Sequence, residues 1–404
     1  LCAASAHWYP RSACRSRHAP AEQGDPWTHS HGNGAKNSGP LRVCFKGHDR
    51  NSISAGRSTL SLARTIANNL TVLIAGAGPA GVRLAIGLSR AGAQVALVDR
   101  LNDPVHNAYS SAAVPLDDAR RLSIPRKSWS ASWSGWQLLD PNGLEHQWWA
   151  PQPLGVVLDF GCLRAAMWNQ ALESGVELLA GCNVQLESLN DAGASIQLRF
   201  HDGQRQRRQV RWLIDATGSR RELLNQAGAV TAVPSDPLLR GIGAEWLIQA
   251  DDRRSAPWRD RISFFLGTQW IAHGYGWVFP MGNHQLKVGV CQLPPGDGRG
   301  HVRLLSRSLE KILHHSKLNT CPVLDRHGGV VSSSVARKEP LGLGALLAVG
   351  DAASTANLLG GEGIRHAMDS ADQLASVLIN NLDGEFDSVR MIYRQRLRQW
   401  LGWR

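Results

Sequence analysis

No window of about 18 or more uninterrupted apolar residues occurs in this 404-residue chain, which argues against a membrane-spanning helix. There is no C-x-x-C pair, and the seven cysteines are scattered and odd in number. A disulfide framework and a zinc site are therefore both disfavoured, and a reducing compartment is the simpler setting. No internal repeat is present. Acidic residues are scarce at one end: residues 1–69 hold nine Lys or Arg against three Asp or Glu, so +6 of the net charge of +11 lies there. A basic chain can bind nucleic acid. Here the excess is a property of the tail and no recognition motif accompanies it, so no nucleic-acid partner is expected.

Hydrophobic content of 43% and charged content of 19% are those of a globular protein with a sizeable core. The most apolar runs, Val72 to Ile74 and Leu346 to Val349, are short and bounded by glycine, as buried parallel strands are. TVLIAG reads as a strand, PAGVRLAIGLSRAG as a helix and AQVALVDR as a second strand, a βαβ opening. Residues 101–150 read as loop-rich and carry Trp129, Trp133, Trp136, Trp148 and Trp149. Residues 162–175 read as an amphipathic helix ending at Gly175, and two strand-like runs follow, with a hairpin turn at Asp202-Gly203. AEWLIQA, ISFFLGTQWIA, GWVFPM and LKVGVCQL read as antiparallel strands. HVRLLSRSLEKILHH reads as a helix, in which His314 and His315 are expected at the surface rather than on a metal. LGALLAVGD then returns to a buried strand and GIRHAMDSADQLASVLINN to a helix. The fold class is α/β, with βα units at both ends enclosing an inserted antiparallel sheet.

Three short motifs carry chemistry. In GAGPAG, Gly76 permits a tight turn, Gly78 lets backbone approach a pyrophosphate, and Gly81 lets helix and strand pack closely, with Pro79 and Ala80 opening the helix whose positive end meets the phosphates. Asp99 ends the next strand, 18 residues after Gly81, where its carboxylate can accept from ribose hydroxyls; Arg100 is grouped with it. A carboxylate there repels a 2′-phosphate, so the loop is not expected to hold NADPH, leaving NAD or FAD. The second motif runs a buried strand into Asp215-Ala216-Thr217-Gly218, small residues that permit close approach of a ligand. The third begins at Gly350-Asp351, whose carboxylate can bond hydroxyls of a polyol chain, and continues to Gly360, Gly361, Gly363 and Ile364 at a helix start. Such a terminus stabilises negative charge of the kind a reduced flavin carries.

GAGPAG with Asp99, then DATG, then GDAA with GEGI, resembles the three-part FAD signature of glutathione-reductase-like flavoproteins, and within these the geranylgeranyl reductase family, over about residues 71–380. Tyr275, Trp277, Phe279 and Pro280 match that family's Y-x-W-x-F-P segment, and SSAAVPL at residues 110–116 resembles its C-G-G-A-I-P-L loop. The resemblance implies FAD lying extended between the two glycine-rich loops, with the inserted sheet covering the flavin and an apolar substrate. It also implies hydride transfer from reduced FAD to an isoprenoid double bond. Ser110, Leu358, Arg365 and His366 depart from the family pattern, which bears on the substrate.

The resulting organisation is a disordered, targeting or untidy extension at 1–68; an FAD-binding domain in three pieces, 69–130, 161–235 and 336–404; and substrate-domain strands at 131–160 and 236–335. Untidy translation upstream of the true start is preferred to a transit peptide, which would imply a plastid rather than the cytoplasm. The leading Leu leaves that start open, and the helix-like YRQRLRQWLGWR leaves room for a further helical part. Tyr275 and Trp277 are the catalytic-pocket candidates, with core packing an equal alternative; His106 and Tyr109 are weaker proton donors. The tryptophans of 129–149 suit an apolar tunnel, peripheral membrane contact or plain packing. A single dinucleotide fingerprint implies that NADPH or NADH binds only transiently or that another donor reduces the flavin. An aromatic-ring monooxygenase, a lycopene-cyclase-like enzyme without net redox change and a flavin-binding scaffold are the competing readings.

Overall fold

The computed structural model describes residues 71–229, 238–293, 302–334, 341–357 and 361–401. The expectations for residues 1–68, and those naming Leu358 and Gly360, lie outside the described residues. A six-stranded sheet is built on Val72–Ala75, which pairs in parallel with Val95–Asp99 on one side and Trp212–Asp215 on the other. Glu177–Ala180 and Leu346–Ala348 extend the sheet in parallel, and Gly342–Leu343 closes one edge antiparallel. Val72, Leu73 and Ile74 have no exposed surface, because the sheet is packed between helix Pro79–Arg90 and strands within 182–210; that is why the sequence there is continuously apolar rather than alternating.

The register sets up the site. Ala75 lies opposite Asp215, and Asp215 opposite Ala348, so the three strands stop together at one edge of the sheet. The three glycine-bearing motifs begin there, side by side, although they are separated by up to 270 residues or so of chain; ligands of open parallel sheets bind at that carboxyl edge. Helix Ile364–Leu378 packs on helix Pro79–Arg90, and the buried Tyr393 hydroxyl of helix Phe386–Leu401 donates to the Ala348 carbonyl at 3.0 Å, tying the C-terminal helix to the strand that delivers Asp351.

The inserted sheet has seven strands, in the order Val323–Ser334, Leu238–Gln249, Gln285–Gln292, Gly274–Pro280, Arg261–Leu266, Gly135–Leu139 and Glu145–Trp149. It is antiparallel except where Arg261–Leu266 meets Gly135–Leu139 in parallel. There are two smaller sheets: Ala113–Pro115, Gly155–Leu158 and Trp129–Trp133 form one, beside the inserted sheet, and three strands within 182–210, with the turn at 201–204, form the other, which packs on the parallel sheet. Residues 131–160 thus divide between two sheets.

Several local expectations need correction. Residues 101–150 are largely regular, with four strands and the helix Leu116–Arg121, because their tryptophans are cross-strand partners, as Trp136 is with Trp148. ISFFLGTQWIA is not one strand. It stops at Leu266, where Gly267 takes φ +116° and its carbonyl accepts from the N–H of Trp270 and Ile271. The helix read at 162–175 spans Phe160–Glu173, capped by Asp159, which accepts from Cys162 N–H at 2.9 Å. Its first turns are enclosed rather than two-faced, burying Phe160, Leu163, Arg164, Met167 and Trp168.

Candidate functional site

A β-carbon on Gly76 (φ +108°) would sit 2.3 Å from the Ala216 carbonyl oxygen, whereas nothing lies within 4 Å of where one would stand on Gly78. Gly76 therefore packs the first motif against the second, and Gly78 faces open space. Gly76, Gly78, Pro79 and Ala80 line a long cleft, and no side chain caps the helix that starts there. Its first-turn N–H groups are left for an anion. Gly81 lies behind the cleft, packed on Gly76.

Asp99 and Arg100 line the same cleft. The Asp99 carboxylate accepts from the N–H of Ala77 at 2.7 Å and of Leu101 at 2.9 Å, so it also pins the glycine loop. Trp168 holds that loop from below, donating its indole N–H to the Ala77 carbonyl at 2.8 Å. Sequence reasoning missed Arg164 on the same helix. Its guanidinium is buried in the cleft wall near Asp99; burial lowers its pKa and Asp99 opposes that shift. No partner reaches Arg164 Nε among the described residues. A lone Arg in an otherwise ordinary helix sequence signals nothing.

Thr217 and Gly218 line the cleft, but Asp215 does not. Asp215 has no exposed surface and accepts from the Thr217 hydroxyl at 2.6 Å and from the N–H of Thr217, Leu223 and Leu224. It organises the turn and the start of helix Glu222–Gln226, and burial raises its pKa against those four donors. Arg221, at φ +50°, then donates from Nε to the Ala352 carbonyl at 2.9 Å, joining the second motif to the third.

In the third motif Asp351 lines the cleft while Gly350 lies beneath it. Gly350 takes φ +63°, donates its N–H to the Ser370 hydroxyl at 2.8 Å and leaves no room for a β-carbon beside Ala80. Asp351 is 9% exposed, no hydrogen bond reaches its carboxyl from the described residues, and burial pushes its pKa up to about 7. An unpartnered buried carboxyl facing a cleft is what a hydroxyl-bearing ligand would satisfy. Gly363 and Ile364 line this cleft, while Gly361 and Glu362 line a second cavity next to it. The N-terminus of helix Ile364–Leu378 thus separates the two spaces. Arg365 and His366 serve packing: Arg365 pairs with Asp118 at 3.1 Å and with Glu362, and the buried His366 meets Trp400 edge-on.

The second cavity is aromatic, walled by Trp133, Trp136, Phe264, Tyr275, Trp277 and Phe279 and closed by Ser111 and neighbouring residues of the SSAAVPL loop. Phe264 contacts the rings of Trp136, Tyr275 and Phe279 at 5.5 to 5.9 Å. Both catalytic-pocket candidates are therefore in this one wall. Trp129 and Trp149 are not: Trp149 covers Gly135 under Arg261, and Arg126 lies over Trp129. His106 is exposed and lines neither space, whereas Tyr109 lines the first cleft and stacks on His327 at 4.5 Å. Beside the aromatic wall lie the buried Glu245 and Lys287 and the partly buried His327, which sequence reasoning also missed. Each looks like the polar residue of an ordinary alternating strand.

Residues 69–114 match the model of an FAD-binding domain. The chain is 30% identical over 312 residues to digeranylgeranylglycerophospholipid reductase 2 of Methanopyrus kandleri, covering 74% of each chain. Against digeranylgeranylglycerophospholipid reductase of Methanosarcina acetivorans it is 26% identical over 351 residues, covering 82% of this chain and 81% of that protein. The fold matches the crystal structure of a geranylgeranyl bacteriochlorophyll reductase-like protein from Thermoplasma acidophilum with a TM-score of 0.74 at 19% identity, over 82% of this chain and 84% of that one.

Proposed function

The chain belongs to the geranylgeranyl reductase family of FAD-dependent oxidoreductases, and from that premise we propose that it saturates carbon–carbon double bonds of an isoprenoid lipid. The observation that carries this reading is the position of the N-terminus of helix Ile364–Leu378, with Gly363 on the cofactor cleft and Gly361 on the aromatic cavity. Residues at that terminus would hold the flavin end of FAD, and Phe264, Tyr275 and Trp277 would pack against an apolar chain beside it. Bound reduced FAD supplies the hydride.

The chain's own residues do the rest. The uncapped first turn at Gly78–Ala80 would hold the pyrophosphate, Asp99 and Arg164 the adenosine end, and Asp351 would accept from the hydroxyl chain. Thr217 and Gly218 line the middle of the cleft with backbone. The aromatic wall excludes water and fixes the prenyl chain by its π-faces. Trp136 reaches the cavity, and its cross-strand neighbour Trp148 is 56% exposed; such a pair suits a lipid surface from which an apolar substrate enters. NADPH or NADH as a transient electron donor completes the reading, since FAD would take the one dinucleotide fingerprint of the sequence.

The test uses the full chain loaded with FAD. Anaerobic NADPH is added first, then a geranylgeranyl lipid. Bleaching of the flavin and a product heavier by two hydrogens per double bond are expected. An unchanged product mass overturns the reductase reading, as does NADPH oxidation stimulated only by an aromatic ring compound. A flavin that NADPH leaves yellow but dithionite reduces, with lipid saturation following, overturns the donor alone.

A further inference from the structure

We propose that Glu245 and Lys287 are positioning residues that hold the two opposed walls of the aromatic cavity in place for the prenyl chain. The inference rests on the reading of that cavity as the substrate site.

The geometry runs straight across the sheet. Trp277 lies opposite Gly289, Gly289 opposite Glu245, and Glu245 opposite His327, on four neighbouring strands. A β-carbon on Gly289 would sit 2.1 Å from the Trp277 ring. Only a glycine there lets the indole lie flat over the intervening strand and reach Glu245. It does so, donating to Oε2 at 2.7 Å, while His327 Nε2 meets the other carboxylate oxygen at 3.0 Å. Both oxygens are engaged, so the carboxylate cannot turn without losing a bond. Glu245 is 3% exposed and Trp277 is 2% exposed. Burial alone would raise the Glu245 pKa; His327, Lys287 and the indole bond outweigh it and hold the carboxyl below its usual value.

Lys287 secures the other wall. Its Nζ donates to the carbonyls of Ser110 at 2.6 Å, Leu158 at 3.0 Å and Ser111 at 3.3 Å. Ser110 and Ser111 begin the SSAAVPL loop, and Ser111, Ala112, Ala113 and Pro115 face Tyr275 and Trp277 across the cavity. Glu245 therefore holds an aromatic strand and Lys287 a glycine-free loop, and the charge of Lys287 favours the Glu245 carboxylate. Net stabilisation is a poor account of this arrangement, since buried ion clusters are often replaceable by apolar packing at no loss. Fixing an orientation is the better one: Trp277 without its acceptor keeps its burial but loses the bond that sets its ring plane.

Three variants of the full-length, FAD-loaded chain test this. Glu245→Gln keeps an oxygen for the indole, Glu245→Leu removes it, and Trp277→Phe removes the donor. KM and kcat for a geranylgeranyl lipid are measured with the lipid's dissociation constant. The indole N–H peak of Trp277, among the 15 tryptophans, is identified by its loss in Trp277→Phe. Expected are KM and dissociation constant raised about 10-fold or more in Glu245→Leu and Trp277→Phe, kcat within about threefold, and no further loss in the double variant. The indole peak shifts strongly in Glu245→Leu, and Glu245→Gln binds lipid within about threefold of wild type. If Glu245→Leu does not fold, Trp277→Phe alone decides. Wild-type KM in Trp277→Phe, or additive losses in the double variant, overturn the positioning role. A wild-type protein that binds no geranylgeranyl lipid overturns the reading of the cavity, and the proposal falls with it.

Discussion

A β-carbon on Gly81 would lie 1.9 Å from the carbonyl oxygen of Gly76. The two glycines of one motif are thus in direct backbone contact, and neither can yield. Gly78, between them, faces open space. Substitution should separate the two roles. Gly81→Ala forces helix Pro79–Arg90 off the sheet and should lower the melting temperature of the apoprotein as well as abolish FAD binding. Gly78→Ala should leave apoprotein melting near wild type and weaken FAD binding about 10-fold or more, since the added methyl stands where the ligand approaches. Equal melting losses in both variants would contradict this division.

Asp351 makes the apoprotein sensitive to pH. Its ordinary carboxyl value is 3.8, and burial raises it to about 7 in the folded state. The folded chain then holds the proton more tightly than the unfolded chain. Stability from this group declines as pH rises from about 4 to about 7 and stays lower above. The apoprotein of Asp351→Asn should therefore lose less stability than wild type between about pH 5 and about pH 8. FAD hydroxyls donating to the carboxylate should remove most of the wild-type decline, and Asp351→Asn should bind FAD more weakly at the higher pH. Parallel melting curves for both apoproteins would refute the assignment.

His327 gives the opposite sign. Burial lowers its affinity for a proton, but Asp325 and Glu245 outweigh burial and hold its pKa at about 9, above the ordinary 6.5. A raised histidine contributes stability that is complete below about pH 6.5 and is lost as pH passes through about 9. The groups facing it are Asp325 at 3.4 Å in a looser ion-pair contact, Glu245 at 3.0 Å, the Tyr109 ring, and Lys287 through its effect on Glu245. His327→Gln should be less stable than wild type near pH 6 and converge with it near pH 10 or so. Denaturant titrations at the two pH values check this; a gap that is constant or widens with pH would exclude a protonated His327.

Tyr275 and Phe264 meet edge-on, with centroids 5.9 Å apart, at the wall of the aromatic cavity. Tyr275→Ala opens that wall without touching the cofactor cleft. It should raise KM for a geranylgeranyl lipid about 10-fold and leave the flavin absorption spectrum and FAD affinity unchanged. Loss of FAD from this variant would show that the two spaces are not separable.

The cofactor motifs were legible because they depend on local backbone. Glycine at 76, 78 and 81 is required by a turn, an approach and a packing contact that all arise within a few residues, so spacing alone reports them. Their convergence followed from parallel-sheet topology, and the register of Ala75, Asp215 and Ala348 realises it. Within those motifs, type did not reveal orientation. Asp215 ends its strand and Asp351 lies in the turn just after its own, yet one is satisfied by four protein donors beneath the turn and the other lines the cleft with none.

The sequence by itself determined the parallel sheet, the three glycine turns and the aromatic strand carrying Tyr275 and Trp277, since each is set by short-range periodicity or by a backbone conformation few residues allow. Only the tertiary structure decided which charged side chains are buried and what they hold. Arg164, Glu245, Lys287 and His327 owe their roles to partners far away in the chain, such as the Ser110 carbonyl, 177 residues from Lys287. A charge in a strand looks solvent-facing until the fold supplies the groups that offset its burial.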